Sequence, residues 1–334
     1  MRSNQELVFL QVLADRALVP AAVLLEVSGT EQDSAQTWQQ LATQTDLLTL
    51  SASIACFVRS PVADGLPSEL NQALLKAACQ RLDDAVWLRS DGLTKPVLPA
   101  QSQWLAGDWV LAAPAKLNAR QSGSRALALK LVQLVVAEAD TRDIEDVFRQ
   151  DPGLSYQLLR LVNSVGMGSS RRITSFSQAI LLLGRQQLRR WLNLMLFSAN
   201  SDDYRSAMLL ARVTQRSRAL ELLARQTGMD RAAQELAFMT GMFSMLGVLF
   251  GWPLSEVFKP LQISEVLVAA VLRHEGEIGQ LLRLVELFER RDAVALMPLF
   301  ANLQLSVADF NQINLQACHW MLGVVRAKPG DEHE

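Results

Sequence analysis

The chain has 334 residues, half of them hydrophobic and a fifth charged, with a formal net charge of −2. That length allows two domains of about 100–200 residues, each with a sizeable core. A pI near 6.0 leaves no basic footprint for direct nucleic-acid binding, and three scattered cysteines, Cys56, Cys79 and Cys318, argue for reduced thiols over a disulfide framework or zinc site.

The first 115 residues alternate short strand-like runs with helical patterns. Residues 19–27 (V-P-A-A-V-L-L-E-V) read as a strand, 33–48 as a helix and 51–58 (S-A-S-I-A-C-F-V) as a second strand. Leu70, Leu74, Leu75 and Ala78 carry helical spacing through residues 67–82. Residues 84–88 and 108–112 predict further strands. This order suggests a small α/β unit over residues 1–115 with some parallel pairing.

From residue 116 to about 330 the pattern is helical throughout. Leu127, Leu131, Leu134 and Val135 share one face of a helix over 124–138. Asp151-Pro152 marks a break, because proline lacks an amide proton and restricts the residue before it. A stripe of Leu154, Leu158, Leu161 and Val162 follows. Ser175 predicts the N-cap of a helix that ends at Gly184. Further helices are expected over 186–197, 204–226, 231–250, 277–290 and 306–325. The N-terminus shows no long apolar run leading to a small-residue cleavage site. No window reaches the ~20 apolar residues of a bilayer span. A cytoplasmic protein without membrane insertion is expected.

Catalytic and cofactor motifs are thin. There is no G-x-S-x-G elbow, no phosphate-cradling G-x-x-x-x-G-K-[ST] and no strand-linked G-x-G-x-x-G. No cofactor is expected. A helical metal-dependent phosphohydrolase needs an adjacent His-Asp pair with further imidazoles and carboxylates. The three histidines are His274, His319 and His333, and none precedes an aspartate. His274 reads as a partly exposed polar residue, His319 as a packing residue on the last amphipathic helix, and His333 as part of the tail. No metal ligands are assigned.

One stretch is more specific. Asp151, Pro152, Leu154, Ser155, Leu158, Leu159, Val162, Asn163, Ser164, Ile173, Ser175, Ala179, Ile180, Leu183 and Gly184 resemble the signature of the HDOD family, the HD-related output domains of bacterial signalling proteins. The resemblance extends more weakly through residues 237–247, 275–279 and 287–289, covering about 116–327. It implies an all-helical HD-like domain that regulates rather than catalyses. By the same resemblance, the His-Asp pair of catalytic relatives falls on Ser244 and Met245, and no histidine stands near residues 214–217. A thioether is a poor replacement for a hard carboxylate ligand. Asn163, Ser164, Ser175 and Gly184 read as structural, ending and starting helices.

In one branch of that family an EAL domain, the cyclic di-GMP phosphodiesterase fold, precedes the HDOD domain. The L-L-E-V-S run around Glu26 and the G-D-W-V-L-A-A-P segment from Gly107 faintly resemble its strands. The E-A-L and D-D-F-G motifs are absent, and 115 residues fall short of the ~250 of a complete barrel. On that reading the unit is a degenerate remnant.

Two surfaces stand out. Arg171, Arg172, Arg185, Arg189 and Arg190 cluster on one helix–loop–helix, and their guanidinium forks suit an acidic protein partner or a phosphate. A solvated helix face is the competing explanation. Met239, Met242 and Met245 recur at helical spacing as core or as a plug in the vacated site. The expectation is therefore a mainly α, non-enzymatic signalling protein that binds protein partners, with Trp191 and Trp252 as candidate anchors and a homodimer left open. Two alternatives stand beside it: a divergent metal-dependent nucleotide phosphohydrolase, and a nucleotide sensor that uses the vacated pocket.

Overall fold

The hairpin that starts the sheet is set by an aspartate. Asp15 Oδ1 accepts from the amides of Ala17 and Val19, a side-chain turn that reverses the chain. It joins β1 (Val8–Ala14) to β2 (Pro20–Val27), antiparallel with Val8 opposite Val27. In this computed structural model, residues 6–28, 31–114, 127, 130–134, 137, 139–150, 176–198, 203–261 and 263–325 are described.

Helices α1 (Glu31–Thr43) and α2 (Thr45–Ser53) lead to β3 (Ala55–Arg59), which runs parallel to β2. Next come α3 (Ser60–Gly65), α4 (Ser68–Lys76) and β4 (Cys79–Leu82), parallel to β3. Strands β5 (Trp87–Arg89) and β6 (Trp104–Ala106) pair in parallel, and β6 closes antiparallel on β1. The sheet order is β4-β3-β2-β1-β6-β5. The α/β character and the parallel pairs match the sequence reading, but several boundaries move. The helix expected over 33–48 breaks at Gln44, and residues 51–53 belong to α2. The helical spacing over 67–82 hides a strand, because Ala78 turns left-handed (φ 57°) and releases Cys79–Leu82 to the sheet. Of the strand expected over 84–88, residues 84–86 form a 3-10 turn while Trp87 and Leu88 open β5, and Asp108–Leu111 forms a 3-10 turn instead of a strand.

The helical half comprises α5 (Thr141–Gln150), α6 (Phe176–Ser198), α7 (Ser206–Gln226), α8 (Arg231–Phe243), α9 (Leu246–Phe250), α10 (Leu254–Phe258), α11 (Glu265–Arg273), α12 (Gly276–Glu289), α13 (Ala293–Asn302) and α14 (Val307–Val325). Within α6, Gly184 leaves helical geometry (φ 71°, ψ 164°), so the chain breaks at the expected exit. Helix α7 is central. It packs against α6, α8, α12 and α14 and buries residues on nearly every side, as expected of a core helix. The stretch Arg231–Phe250 is long and apolar enough to cross a bilayer, but half of it is buried inside the protein. It is divided into α8 and α9 at Ser244 and Met245.

Sheet and helices share apolar packing. Leu7, Phe9, Leu105 and Trp109 join Phe197, Phe238 and Phe288 in one buried cluster, and Phe9 stacks on Phe288 with ring centroids 5.2 Å apart. Polar clamps fix the register of the two layers. The Val8 amide donates to Asn311 Oδ1 at 2.9 Å, and Asn311 Nδ2 donates to the Glu6 carbonyl at 2.9 Å. Arg205, fully buried, donates to the Ala112 carbonyl and pairs with Asp203. The expected boundary at residue 115 falls on residues outside those described.

Candidate functional site

The positions singled out for a lost His-Asp pair lie where α8 ends. Gly241 allows that end to press on α7: a Cβ there would meet Ser217 Cα at 2.6 Å. Ser244 caps α8 as its amide bonds back to Thr240, and its Oγ donates to the Gly241 carbonyl at 2.7 Å. Met245 turns into the apolar core and is 1% exposed. Met242 is fully buried and Met239 partly so, which makes this methionine stripe core.

Helix α7 supplies the group that faces Ser244. Arg216 is 7% exposed. Its Nη1 donates to Ser244 Oγ at 2.8 Å, its Nε to Glu289 Oε1 at 2.9 Å and its Nη2 to Glu289 Oε2 at 2.5 Å. Glu286, one turn earlier on α12, lies 3.5 Å from the same guanidinium. His274 completes the arrangement. It caps α11 in the left-handed region (φ 54°), and its Nε2 sits 2.9 Å from Glu286 Oε2. Gly279 makes that close approach feasible, since a Cβ there would meet the His274 carbonyl carbon at 2.4 Å. Arg212, one turn before Arg216, reaches Glu289 and Asp108 at 3.3 Å each.

Burial works against charge on both main partners, but their pairing prevails. Burial would raise the Glu289 pKa, yet Arg216 and Arg212 hold it below the usual carboxylate range. Burial would lower the Arg216 pKa, yet Glu289 and Glu286 hold it above the ordinary guanidinium value. The site is thus organised around a fixed organic cation, with two carboxylates, a hydroxyl and, through Glu286, an imidazole around it. These donors do not suit a divalent metal, because the carboxylates already face a guanidinium that cannot be deprotonated. Among the described residues no group of three or more His, Cys, Asp or Glu is arranged to hold one.

A cavity of about 60 Å³ opens on the other side of Arg216, at the seam with the sheet. Gln11 on β1, Arg89 on β5, Asp108, Arg212, Glu289 and Arg291 are among its lining residues. Arg291 crosses the Phe9 ring to pair with Glu26 on β2 at 2.5 Å. Ser244 does not line this cavity; the Arg216 guanidinium fills the space beside it.

Of the signature residues, Asp151, Pro152, Asn163, Ser164 and Ser175 lie outside the described residues, as do Arg171, Arg172 and the side chains of Arg185 and Arg189. Arg190 turns inward. It bonds Glu235 and Glu221 and lies 4.3 Å from the Phe238 ring centroid, so it is not available to an outside partner. His274 is about a third exposed, as expected. His319 is exposed instead of packed. Trp191 is core, 6.2 Å from Trp320, whereas Trp252 is 49% exposed. The three cysteines are free and buried. Burial pushes the thiols of Cys79 and Cys318 up to about 11 and about 12, and that of Cys56 further. Sequence reasoning assigned no role to Arg212, Arg216, Glu286 or Glu289. Apart from Glu289, which falls in the weak resemblance over 287–289, their mark is spacing, i,i+4 on one helix and i,i+3 on another.

Residues 125–278 match the HDOD domain family. This segment is similar to HDOD domains. The match agrees with the resemblance carried by residues 151–184. Cyclic di-GMP phosphodiesterase CdgJ of Vibrio cholerae is 31% identical over 206 residues, covering 61% of this chain and 47% of that protein. Protein YuxH of Bacillus subtilis is 28% identical over 213 residues, covering 59% of this chain and 48% of its own. The chain thus spans about half the length of the curated relatives it matches. A crystal structure of a "putative phosphohydrolase" from Shewanella amazonensis superposes with a TM-score of 0.44 at 14% identity, covering 60% of this chain and 93% of that one. That likeness is too slight to carry function.

The expectation that the chain is not an enzyme is corrected here. A sequence that matches the HDOD family model over residues 125–278 and is 31% identical over 206 residues to a protein named as a phosphodiesterase is not placed outside enzymes by one missing His-Asp pair. The guanidinium-filled site speaks for that one position, and chemistry elsewhere along the chain is untouched by it.

Proposed function

We propose that this chain is a cytoplasmic bacterial signal-transduction protein tied to cyclic dinucleotide signalling, whose HDOD domain works by recognising a protein partner. The observation that carries this reading is the Arg216 site. A rigid charged node of α7, α8 and α12 locks the helices into a fixed platform, the property a docking surface needs. The arginines Arg171, Arg172, Arg185 and Arg189 are the proposed contact, since bidentate guanidinium forks select carboxylate-rich surfaces. Affinity capture from the native host with the full chain, beside a variant reversed to Glu at Arg171 and Arg172, tests it. Loss of captured partners supports the reading; an unchanged set overturns it.

A second reading is favoured by the name of one relative, a cyclic di-GMP phosphodiesterase. The chain would then hydrolyse a cyclic dinucleotide, through groups other than the Arg216 site. Incubating purified full chain with cyclic di-GMP and Mg²⁺ or Mn²⁺, with products separated by chromatography, decides it. Turnover that scales with protein and survives repurification supports this reading, and its absence with both metals removes it.

A further inference from the structure

We propose that the seam cavity between sheet and helices is a binding site for a small oxyanion of the phosphate class. The inference stands apart from partner recognition and from hydrolysis. Arg89, which lines the cavity, buries an Nη1 donor that has no hydrogen-bond partner among the described residues. Buried groups of this kind are ordinarily satisfied. Four arginines line the cavity against two carboxylates, Asp108 and Glu289. Their pairings are unequal. Arg216 and Arg291 hold carboxylates at 2.5 Å and Arg89 holds Asp91 at 2.7 Å. Among the described residues Arg212 has only two ion-pair contacts, both of 3.3 Å, well beyond the ~2.7–2.9 Å of a charge-assisted bond. The least committed cation and the residue with the spare guanidinium donor therefore line one cavity.

Size narrows the ligand. The cavity, about 60 Å³, is several times the ~10–15 Å³ that one water needs, and well under the ~150 Å³ that encloses a benzene ring. A free phosphate, or the phosphate group of a larger ligand entering from the mouth, fits; an enclosed nucleobase does not. Asp108 is the competing acid, because it shares Arg212. The ligand would bridge β5 of the sheet and α7 of the HDOD domain, so occupancy would fasten the two layers together.

The test uses the full chain. Thermal unfolding is compared in sodium phosphate, in cyclic di-GMP and in sodium chloride at matched ionic strength, and affinities are measured by calorimetry. At a hundred times the dissociation constant the bound oxyanion should raise Tm by roughly 5 °C over chloride. Arg212→Lys, which keeps the charge but loses the fork, should weaken binding about tenfold or more, and Asp108→Asn should tighten it. Arg81→Ala, at an exposed ion pair on β4, should leave affinity unchanged. Stabilisation by phosphate assigns the site to the free ion, and stabilisation by the dinucleotide alone assigns it to a phosphodiester. The proposal is overturned if neither ligand exceeds chloride, or if Arg212→Lys binds as the parent does.

Discussion

Replacing Arg216 with methionine tests the guanidinium-centred site directly. The side chain is 7% exposed and makes three hydrogen bonds of 2.5–2.9 Å, two of them to Glu289. Methionine fills much of the same volume but leaves the buried Glu289 carboxylate with only Arg212, 3.3 Å away. Removing one partner of a buried ion pair costs about 3–5 kcal/mol. The remaining Arg212 contact places the expected loss near the lower end, about 3 kcal/mol. Removing both partners, as in Arg216→Met with Glu289→Leu, relieves the stranded charge and should recover most of that loss. Urea unfolding followed by circular dichroism reads the difference at constant m-value. If Arg216→Met costs under about 1 kcal/mol, or if the double variant is as unstable as the sum of the singles, the reasoning fails, since directly coupled residues should depart from additivity by roughly 0.5–3 kcal/mol.

Three more outcomes are expected. Gly241→Ala places a methyl 2.6 Å from Ser217 Cα and should destabilise by about 1–3 kcal/mol through overpacking; a midpoint equal to the parent's would mean α7 and α8 separate freely. Asn311→Leu strands the Val8 amide and the Glu6 carbonyl and should cost about 1–3 kcal/mol, with faster amide exchange in β1 by mass spectrometry as its signature. Because Glu289 is held below its ordinary value of 4.5, the unfolded chain binds its proton first on acidification. Its contribution is complete at neutral pH and is lost as pH falls below about 4.5 toward the folded-state value. Glu289→Gln should flatten that part of the stability–pH curve, and an unaltered slope would count against the pairing.

The long amphipathic helices were legible in the sequence because their apolar stripes are regular: α7, α12 and α14 fall within a residue or two of the spacing-based bounds. Strand β1 was not. Its V-F-L-Q-V-L-A run has no strict alternation, and a short apolar run reads equally as buried helix. Strand β6, three residues long, carries too little pattern to register, and β4 was absorbed into a helical spacing that Ala78 interrupts through its backbone alone. The site divides the same way. Ser244 and Met245, where the resemblance led us to expect a His-Asp pair, are visible as residue identities. The Arg216 cation is not, because it meets Glu286 and Glu289 some 70 residues away, and an arginine once per helical turn ordinarily marks a solvated face.

The Asn311 clamp sets a timetable for biogenesis. Its partner in β1 lies 303 positions earlier in the chain. At about 5–20 residues per second of synthesis, the opening hairpin leaves the ribosome roughly 15–60 seconds before the helix that ties it down. During that wait α1 and α2 can already cover one side of the hairpin through Trp38, Leu41, Leu47 and Leu50, but Leu315, Cys318 and Met321 of α14 are still missing from that cluster, so the sheet completes its core only when that late helix emerges.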